Sequence, residues 1–462
     1  MVRILNVYYP TRTLILAFGE VLIIYICFLL AVAYFKLDPA LFLTYEHGFY
    51  KIDIVCAVLM VCLYYHDLYD SLVVSNPREV VTRLIGTLGA ACVIMGGVYY
   101  AFPAVRLDLS LLGLGILLSG VLLGAWRKAF LVLNSSDRWA ERALILGSGS
   151  LAAYVSSEIE KRPAWAFRLV GFVADPSATS VEMNGLPWLG RVQELPELVK
   201  QKGVRRVILG MNERRGQMPV EMLLQLQAGG TIIQDGSDVY EALTGKVALD
   251  SLRLSWLLLS PRFQASQLML AYKRVTSLLL ATIGLLLTFP LMILIAVIIV
   301  LDSKGPVLFR QERVGQNGKR FKLNKFRTMR VGADADGQFK PAQANDPRVT
   351  RVGRWLRRTR LDELPQLFNI VLGDMYFVGP RPFVPNQEEE CVAKIPFYSQ
   401  RWNIKPGATG WAQVKRGYCA TVEDNADKLA YDLFYIKNMS TGLDLLIAFE
   451  TLKTLLLGRG GR

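Results

Sequence analysis

The stretch RRTRLDELPQLFNIVLGDMYFVGPRP, residues 357–382, sets two adjacent carboxylates, Asp362 and Glu363, behind three arginines and ahead of a Pro-Arg-Pro turn. A run of charge usually marks a solvated face. Here leucines follow at once, so the carboxylates sit where a polar loop enters a buried helix. With a helix starting in DELPQLFNIV, Asp362 falls at its N-cap or first turn and Pro365 in the first turn, where a missing N–H costs little. The helix N-terminus and Arg357, Arg358 and Arg360 then favour the ionised carboxylate. Such a group attacks phosphorus or holds a divalent cation. Adjacent helical residues diverge by about 100°, so the pair reads as two roles, a nucleophile and a Mg²⁺ ligand. A helix cap beside a surface acid is the bland alternative.

The surroundings favour the chemical reading. From residue 302 to the end the chain is basic and dense in Gly, Pro and Arg, with GPVLFRQERVGQNGKRFKLNKFRTMR before the carboxylates and RWNIKPGATGWAQV after them. Cations interleaved with glycine turns and apolar anchors suit phosphate groups. The two histidines, His47 and His66, lie in the N-terminal quarter, so chemistry near Asp362 proceeds without imidazole. Of six cysteines, Cys27, Cys56, Cys62 and Cys92 fall in apolar runs and Cys391 and Cys419 stand alone; no CxxC spacing implies a disulfide framework or zinc site.

A chain of 462 residues, 52% hydrophobic and with mean hydropathy +0.30, is too apolar for an ordinary soluble protein. The net charge of +14 fits basic cytoplasmic segments drawn to anionic headgroups or phosphorylated substrates, and nucleic acid is not expected as a partner. Four apolar runs, near residues 13–35, 50–65, 84–102 and 109–126, each approach the length that crosses about 30 Å of hydrocarbon. Arg3, Arg12, Arg78, Arg83, Arg127 and Lys128 fall on one side of a four-span bundle, against Lys36, Lys51 and Arg106 on the other. That bias puts both ends of the bundle, residues 1–130, in the cytoplasm.

From Arg142 the pattern turns to a strand, a glycine turn and a helix in RALILGSGSLAAY, with further strand candidates LVGFVAD, VRRVILGM and GGTIIQ. This predicts a doubly wound, Rossmann-like α/β domain over residues 140–250. Gly147, Gly149 and Ala153 form a G-x-G-x-x-A turn, and Asp175 ends the second strand candidate. The turn either cradles a phosphate or merely permits tight strand-to-helix packing. A fifth apolar run, Val275 to Leu301, has Lys273 and Arg274 before it, Lys304, Arg310 and Arg313 after it, and Pro290 near its middle. Cationic flanks on both sides and a helix breaker predict a helix-break-helix that enters one leaflet and returns. A straight span would place everything beyond Ser303 outside the cell.

The region from Lys273 onward resembles the bacterial sugar transferase family, the monotopic phosphoglycosyl transferases, through KFRTM, LDELPQLFNIVLGDM, VGPRP and PGATGWAQV in order. The four spans and α/β domain ahead of it resemble the family's large subclass, and LTGKVALDSLRLSWLLLS looks like its exopolysaccharide, exosortase-associated branch. Tyr376 departs from the pattern, which more often carries Ser there. The resemblance implies a mainly α catalytic domain over residues 265–462, with Asp362 as nucleophile toward the sugar-bearing phosphate of a UDP-sugar and UMP released. It implies Mg²⁺ held by Glu363 and Asp362, phosphate contacts from Lys325, Arg357 and Arg381, and Asp432 on the nucleotide side. The acceptor it implies is undecaprenyl phosphate, in a dimeric protein of the bacterial inner membrane whose soluble domains face the cytoplasm. Two other readings stay open. One is a nucleotide-sugar epimerase or dehydratase using the Gly147 turn, against which no Tyr-x-x-x-Lys pair follows within residues 143–250; the other is a membrane scaffold recruiting a polysaccharide assembly machine.

Overall fold

The computed structural model describes residues 2–4, 6–70, 77–134, 140–162, 167–175, 182–211, 218–252, 266–333, 346–416 and 422–456. Cys419 and the branch-specific stretch from Arg253 to Ser260 lie outside them. By contacts the chain forms two units, one of Met1–Arg3 and Tyr8–Val239 and the other of Ile4–Val7 and Tyr240–Arg462.

The first unit opens with four apolar helices, α1 (Thr11–Phe35), α2 (Gly48–Tyr65), α3 (Pro77–Ala101) and α4 (Leu109–Asn134). All four are long and apolar enough to cross a membrane. α1 and α4 approach closely because small residues lie under large ones: a Cβ on Gly19 would fall 2.5 Å from the Trp126 ring, and one on Gly115 2.6 Å from Phe28. Lys36, at the end of α1, pairs with Asp108, just before α4, at 2.8 Å, which places these two ends together. Arg127 has another use than marking topology. Its side chain is 3% exposed and pairs with the fully buried Glu20 at 2.6 Å, while its Nη1 donates to Leu68 O at 2.7 Å. A charge inside an apolar bundle is tolerated only when paired in this way.

The α/β part carries β1 (Glu141–Leu146), α5 (Ser150–Glu160), β2 (Phe167–Val173), β3 (Glu182–Met183), β4 (Leu186–Gly190), α6 (Leu195–Lys202), β5 (Arg206–Leu209), α7 (Val220–Ala228), β6 (Ile232–Asp235) and α8 (Gly236–Thr244). The sheet order is β3-β4-β2-β1-β5-β6, parallel except for the β3/β4 pair. Strand order reverses on either side of β1, as in doubly wound folds, because each helical crossover returns the chain to a parallel neighbour. Leu144, Leu146, Val173, Val207 and Leu209 form one face of its core.

The second unit holds α9 (Gln267–Asp302), the antiparallel hairpin β7 (Leu308–Val314) and β8 (Arg320–Phe326), α10 (Arg351–Thr359), α11 (Gln366–Leu372), β9 (Tyr376–Val378), α12 (Pro385–Lys394), β10 (Gly407–Thr409), α13 (Val422–Lys437) and α14 (Thr441–Leu456). It is mainly helical. β9 and β10 run parallel, and a Cβ on Gly407 would lie 2.0 Å from Gly379 N, so only glycine lets these chains meet. Trp411, Tyr398, Phe434 and Tyr435 fill its core. The unit also takes in residues ahead of the expected boundary at 265: Lys437 binds Glu241 at 2.7 Å, Lys246 binds Asp427 at 2.7 Å, and Trp411 Nε1 donates to Gly245 O at 2.7 Å.

The helix break expected at Pro290 is absent. α9 is continuous over 36 residues with Pro290 inside it, because proline removes one backbone hydrogen bond while adjoining turns keep theirs. Both stretches of α9 pack on the same unit: Ala281 against Leu323, Ile370 and Met375, and Met292, Ile295 and Ile299 against Phe326 and Leu356.

Candidate active site

The carboxylate pair is presented by a sharp change of chain direction. α10 starts at Thr350, whose hydroxyl accepts from Gly353 N at 2.9 Å, and stops at Arg360 in the left-handed conformation, φ 59°. A single 3₁₀ turn, Leu361–Glu363, follows, and α11 begins only at Gln366 with Pro365 as its N-cap. Asp362 and Glu363 therefore precede the helix rather than opening it. Leu364 and Pro365 keep right-handed helical dihedrals, with φ −52° and −64°, but Pro365 has no N–H to donate back to Leu361, so α-helical pairing is interrupted there.

The two carboxylates have different surroundings. Glu363 Oε1 meets Arg381 Nη2 at 3.0 Å, Lys325 Nζ at 3.2 Å and Arg360 Nη1 at 3.3 Å. Burial pushes its pKa up, but Lys325, Arg381 and Arg360 together outweigh burial and hold it well below the usual carboxylate range. Asp362 is 8% exposed, and its Oδ1 is buried with no hydrogen-bond partner. Burial, then the Glu363 charge, raises its pKa; Lys325, Arg357 and Arg360 pull it back only in part. Of the arginines that the sequence sets before the pair, Arg357 and Arg360 do favour the ionised Asp362, but they do not outweigh its burial, and Arg360 acts on Glu363 as well.

Lys325 comes from β8, and burial lowers its pKa against the upward pull of Glu363. Its strand is fixed to α11 by Asn369, which is 1% exposed. Asn369 Oδ1 accepts from Asn324 N at 3.0 Å, and its Nδ2 donates to Lys322 O at 2.8 Å and to Asp374 at 3.1 Å. Arg274 of α9 donates to Ile370 O at 2.6 Å and Val371 O at 2.9 Å, satisfying carbonyls at the end of α11. Arg357 reaches Thr328 Oγ1 at 2.8 Å. Asp362, Glu363, Lys325, Arg357 and Arg381 are thereby assembled in one place. Asp432 lies deeper, 2% exposed and bound to Arg401 at 2.9 Å. Burial raises its pKa to about 6 against the Arg401 charge. The roles of Asn369, Arg274 and Arg401 were not legible as site features, since a lone Asn or Arg carries no spacing signal.

Tyr376 is 5% exposed, with the ammonium groups of Lys273 and Lys405 at 5.4 and 5.7 Å from its ring centre. An apolar cavity of about 290 Å³ lies between α9 and α10, lined by Ile295, Ile298, Val352, Trp355 and Leu356, with Arg351 among them. At the G-x-G-x-x-A turn, Gly147 has φ +113°, and a Cβ there would fall 2.9 Å from Met211 N; a Cβ on Gly210 would fall 2.7 Å from Ala152 Cβ. Small residues here allow close packing, and Asp175 is exposed.

An apolar helix fixed to a basic cradle around a buried carboxylate oxygen that has no hydrogen-bond partner defines a membrane-attached enzyme of phosphate chemistry. Comparison with known proteins is consistent with that class. Residues 268–458 match the model of the bacterial sugar transferase family, and residues 65–228 match a CoA-binding domain model. The chain is 35% identical to the UDP-glucose:undecaprenyl-phosphate glucose-1-phosphate transferase of Escherichia coli (strain K12) over 67% of each chain. It is 44% identical to the UDP-N-acetylgalactosamine-undecaprenyl-phosphate N-acetylgalactosaminephosphotransferase of Aeromonas hydrophila, over 48% of this chain and 52% of that one. A Xanthomonas campestris UDP-glucose:undecaprenyl-phosphate glucose-1-phosphate transferase is 34% identical over 67% of this chain and 66% of its own. The matches thus span between about half and two thirds of these relatives. The chain belongs to the bacterial sugar transferase family.

Proposed function

We propose that this protein transfers a sugar 1-phosphate from a UDP-sugar to undecaprenyl phosphate, releasing UMP, and so begins an exopolysaccharide repeat unit. The observation that carries the reading is Asp362 Oδ1, buried without a hydrogen-bond partner beside a carboxylate already gripped by three cations. A carboxylate oxygen held ready in this way suits attack on phosphorus. In the first displacement Asp362 bonds to the sugar-bearing phosphorus, and the bond from that phosphorus to the bridging oxygen breaks, so UMP leaves with the electron pair. In the second, an oxygen of the lipid phosphate attacks the aspartyl phosphosugar and returns Asp362 to its free carboxylate. Glu363 holds Lys325, Arg360 and Arg381 together, where they face charge on the diphosphate. Arg357 adds positive charge near Asp362.

Among the described residues no group of three or more His, Cys, Asp or Glu is placed to hold a metal. A partnerless carboxylate oxygen fits an ion whose other ligands are water and substrate phosphate oxygens, as Mg²⁺ prefers. Asp362 and its neighbour Glu363 would hold it, and when bound it neutralises charge on the diphosphate.

The re-entrant position of α9 belongs to the same reading. Near its start Lys273 donates to Val378 O at 3.1 Å and pairs with Asp444 at 2.7 Å; at its far end Arg327 donates to Ser303 O at 2.5 Å. Leu286, Leu287 and Phe289 between these anchors are exposed. Both ends are held by one unit, which favours a helix that bends at Pro290 without losing its continuity, and so enters and leaves on the cytoplasmic face of the inner membrane. The cavity between α9 and α10 offers apolar walls to a lipid tail. Assembly as a homodimer completes the proposal. UMP release by the purified full chain with Mg²⁺, undecaprenyl phosphate and a panel of UDP-sugars tests it; no release from any of them sinks it.

A further inference from the structure

The chain through Pro380, Arg381 and Pro382 is held at four consecutive carbonyls. Pro380 O accepts from Gly407 N at 2.9 Å, Arg381 O from Arg401 Nη2 at 2.8 Å, Pro382 O from Arg313 Nη1 at 3.2 Å, and Phe383 O from Val314 N at 3.1 Å. Two prolines donate nothing to a strand ladder, so this segment cannot be fixed by regular pairing. The carbonyls are caught by three separate parts of the unit: Gly407, Arg401 and the Arg313–Val314 end of β7.

The donor at Arg381 is the unusual one. The Arg401 side chain is 3% exposed, and its guanidinium lies among Asp432 Oδ2 at 2.9 Å, Tyr398 OH at 2.6 Å, Glu388 Oε1 at 3.4 Å and the Phe383 ring at 4.7 Å. Glu388 and Asp432 are themselves 3% and 2% exposed. A buried cation between two buried anions is costly to assemble and rigid once made. Its connection to the active site runs through the Arg381 carbonyl, while the Arg381 guanidinium meets Glu363 at 3.0 Å.

We infer that Glu388, Arg401 and Asp432 form a positioning assembly that fixes Arg381 beside the catalytic carboxylates. Asp432 then influences the phosphate groups through Arg401 and Arg381 and does not touch the nucleotide. The inference rests on the proposed transfer reaction for its kinetic readout only.

The test is a double-mutant cycle in the full chain. Asp432→Asn leaves Glu388 to neutralise Arg401, and it is expected to lower kcat/KM for the UDP-sugar by roughly 10- to 100-fold, as small misplacements of a positioning group do. In an Arg381→Ala background the same change should cost less than about 2-fold, because its route to the site is gone. Its effect on Tm should be the same in both backgrounds, since the residue 381 carbonyl remains. Asp432→Glu should restore part of the activity. An equal loss of kcat/KM in both backgrounds overturns the inference and leaves Asp432 a purely structural residue or a direct substrate contact. Modification of Arg381 by phenylglyoxal, followed by peptide mass spectrometry, needs no turnover and stands even if no UDP-sugar is a substrate. Asp432→Asn should speed it several-fold, and an unchanged rate overturns the positioning role independently of the reaction proposed above.

Discussion

At the residue scale, neighbouring carboxylates on one turn are driven apart in acidity by the cations around them. Glu363 is well below the usual carboxylate range because Lys325, Arg381 and Arg360 outweigh its burial, whereas burial and the Glu363 charge keep Asp362 raised. Two consequences are measurable. Asp362→Asn keeps the shape and removes the nucleophile, so it should abolish both UMP release and the covalent phosphosugar adduct; an adduct that survives reassigns the nucleophile. Attack requires ionised Asp362, so kcat/KM should fall as pH falls through a midpoint above the ordinary Asp value. Arg357 lowers the Asp362 pKa. Arg357→Gln should therefore move that acid limb to higher pH, and an unmoved limb would show that Asp362 does not control it.

At the element scale, the site depends on short pieces locked to one another. α11 has seven residues and would be marginal alone. Asn369 ties it to β8, and Arg274 holds its last carbonyls beside Gly373, where φ is +96°. Asn369→Ala leaves the Asn324 amide and Lys322 carbonyl without that partner, at a cost of about 1–3 kcal/mol. Thermal unfolding should show a Tm lower by roughly 2–4 °C per kcal/mol. Transfer should also weaken, since Lys325 follows Asn324 on the strand. A variant with unchanged Tm would mean that the Asn369 contacts contribute nothing net.

At the scale of the whole molecule, the contact division at Tyr240 alters what a minimal transferase should contain. The motifs all lie beyond Lys273, so deletion of the α/β domain is expected to leave transfer intact. A fragment starting at residue 265 lacks Glu241, the partner of Lys437, whose side chain is 3% exposed. Removing one member of a buried pair costs about 3–5 kcal/mol. The fragment 240–462 should accordingly unfold at a distinctly higher temperature than 265–462; equal Tm values would remove the case for the longer one. Re-entry of α9 predicts that a cysteine at Lys304 and one at Lys202 are labelled from the same side of the membrane. Opposite labelling would make α9 a full span.

Local pattern was enough for the apolar helices, the α/β alternation and the carboxylate pair with its arginines, because hydropathy period, glycine turns and clustered charge are all written within a few residues. Tyr376 was legible as a departure, and its packing between two lysines could not be. The length of α9 across Pro290, both stretches of which pack on one unit, and the burial of Arg127 against Glu20 were decided by tertiary contacts. So was the acidity of each carboxylate. Lys325 and Arg381 reach Glu363 from 38 residues before it and 18 after it, and a pKa depends on distance and burial, neither of which a linear sequence records.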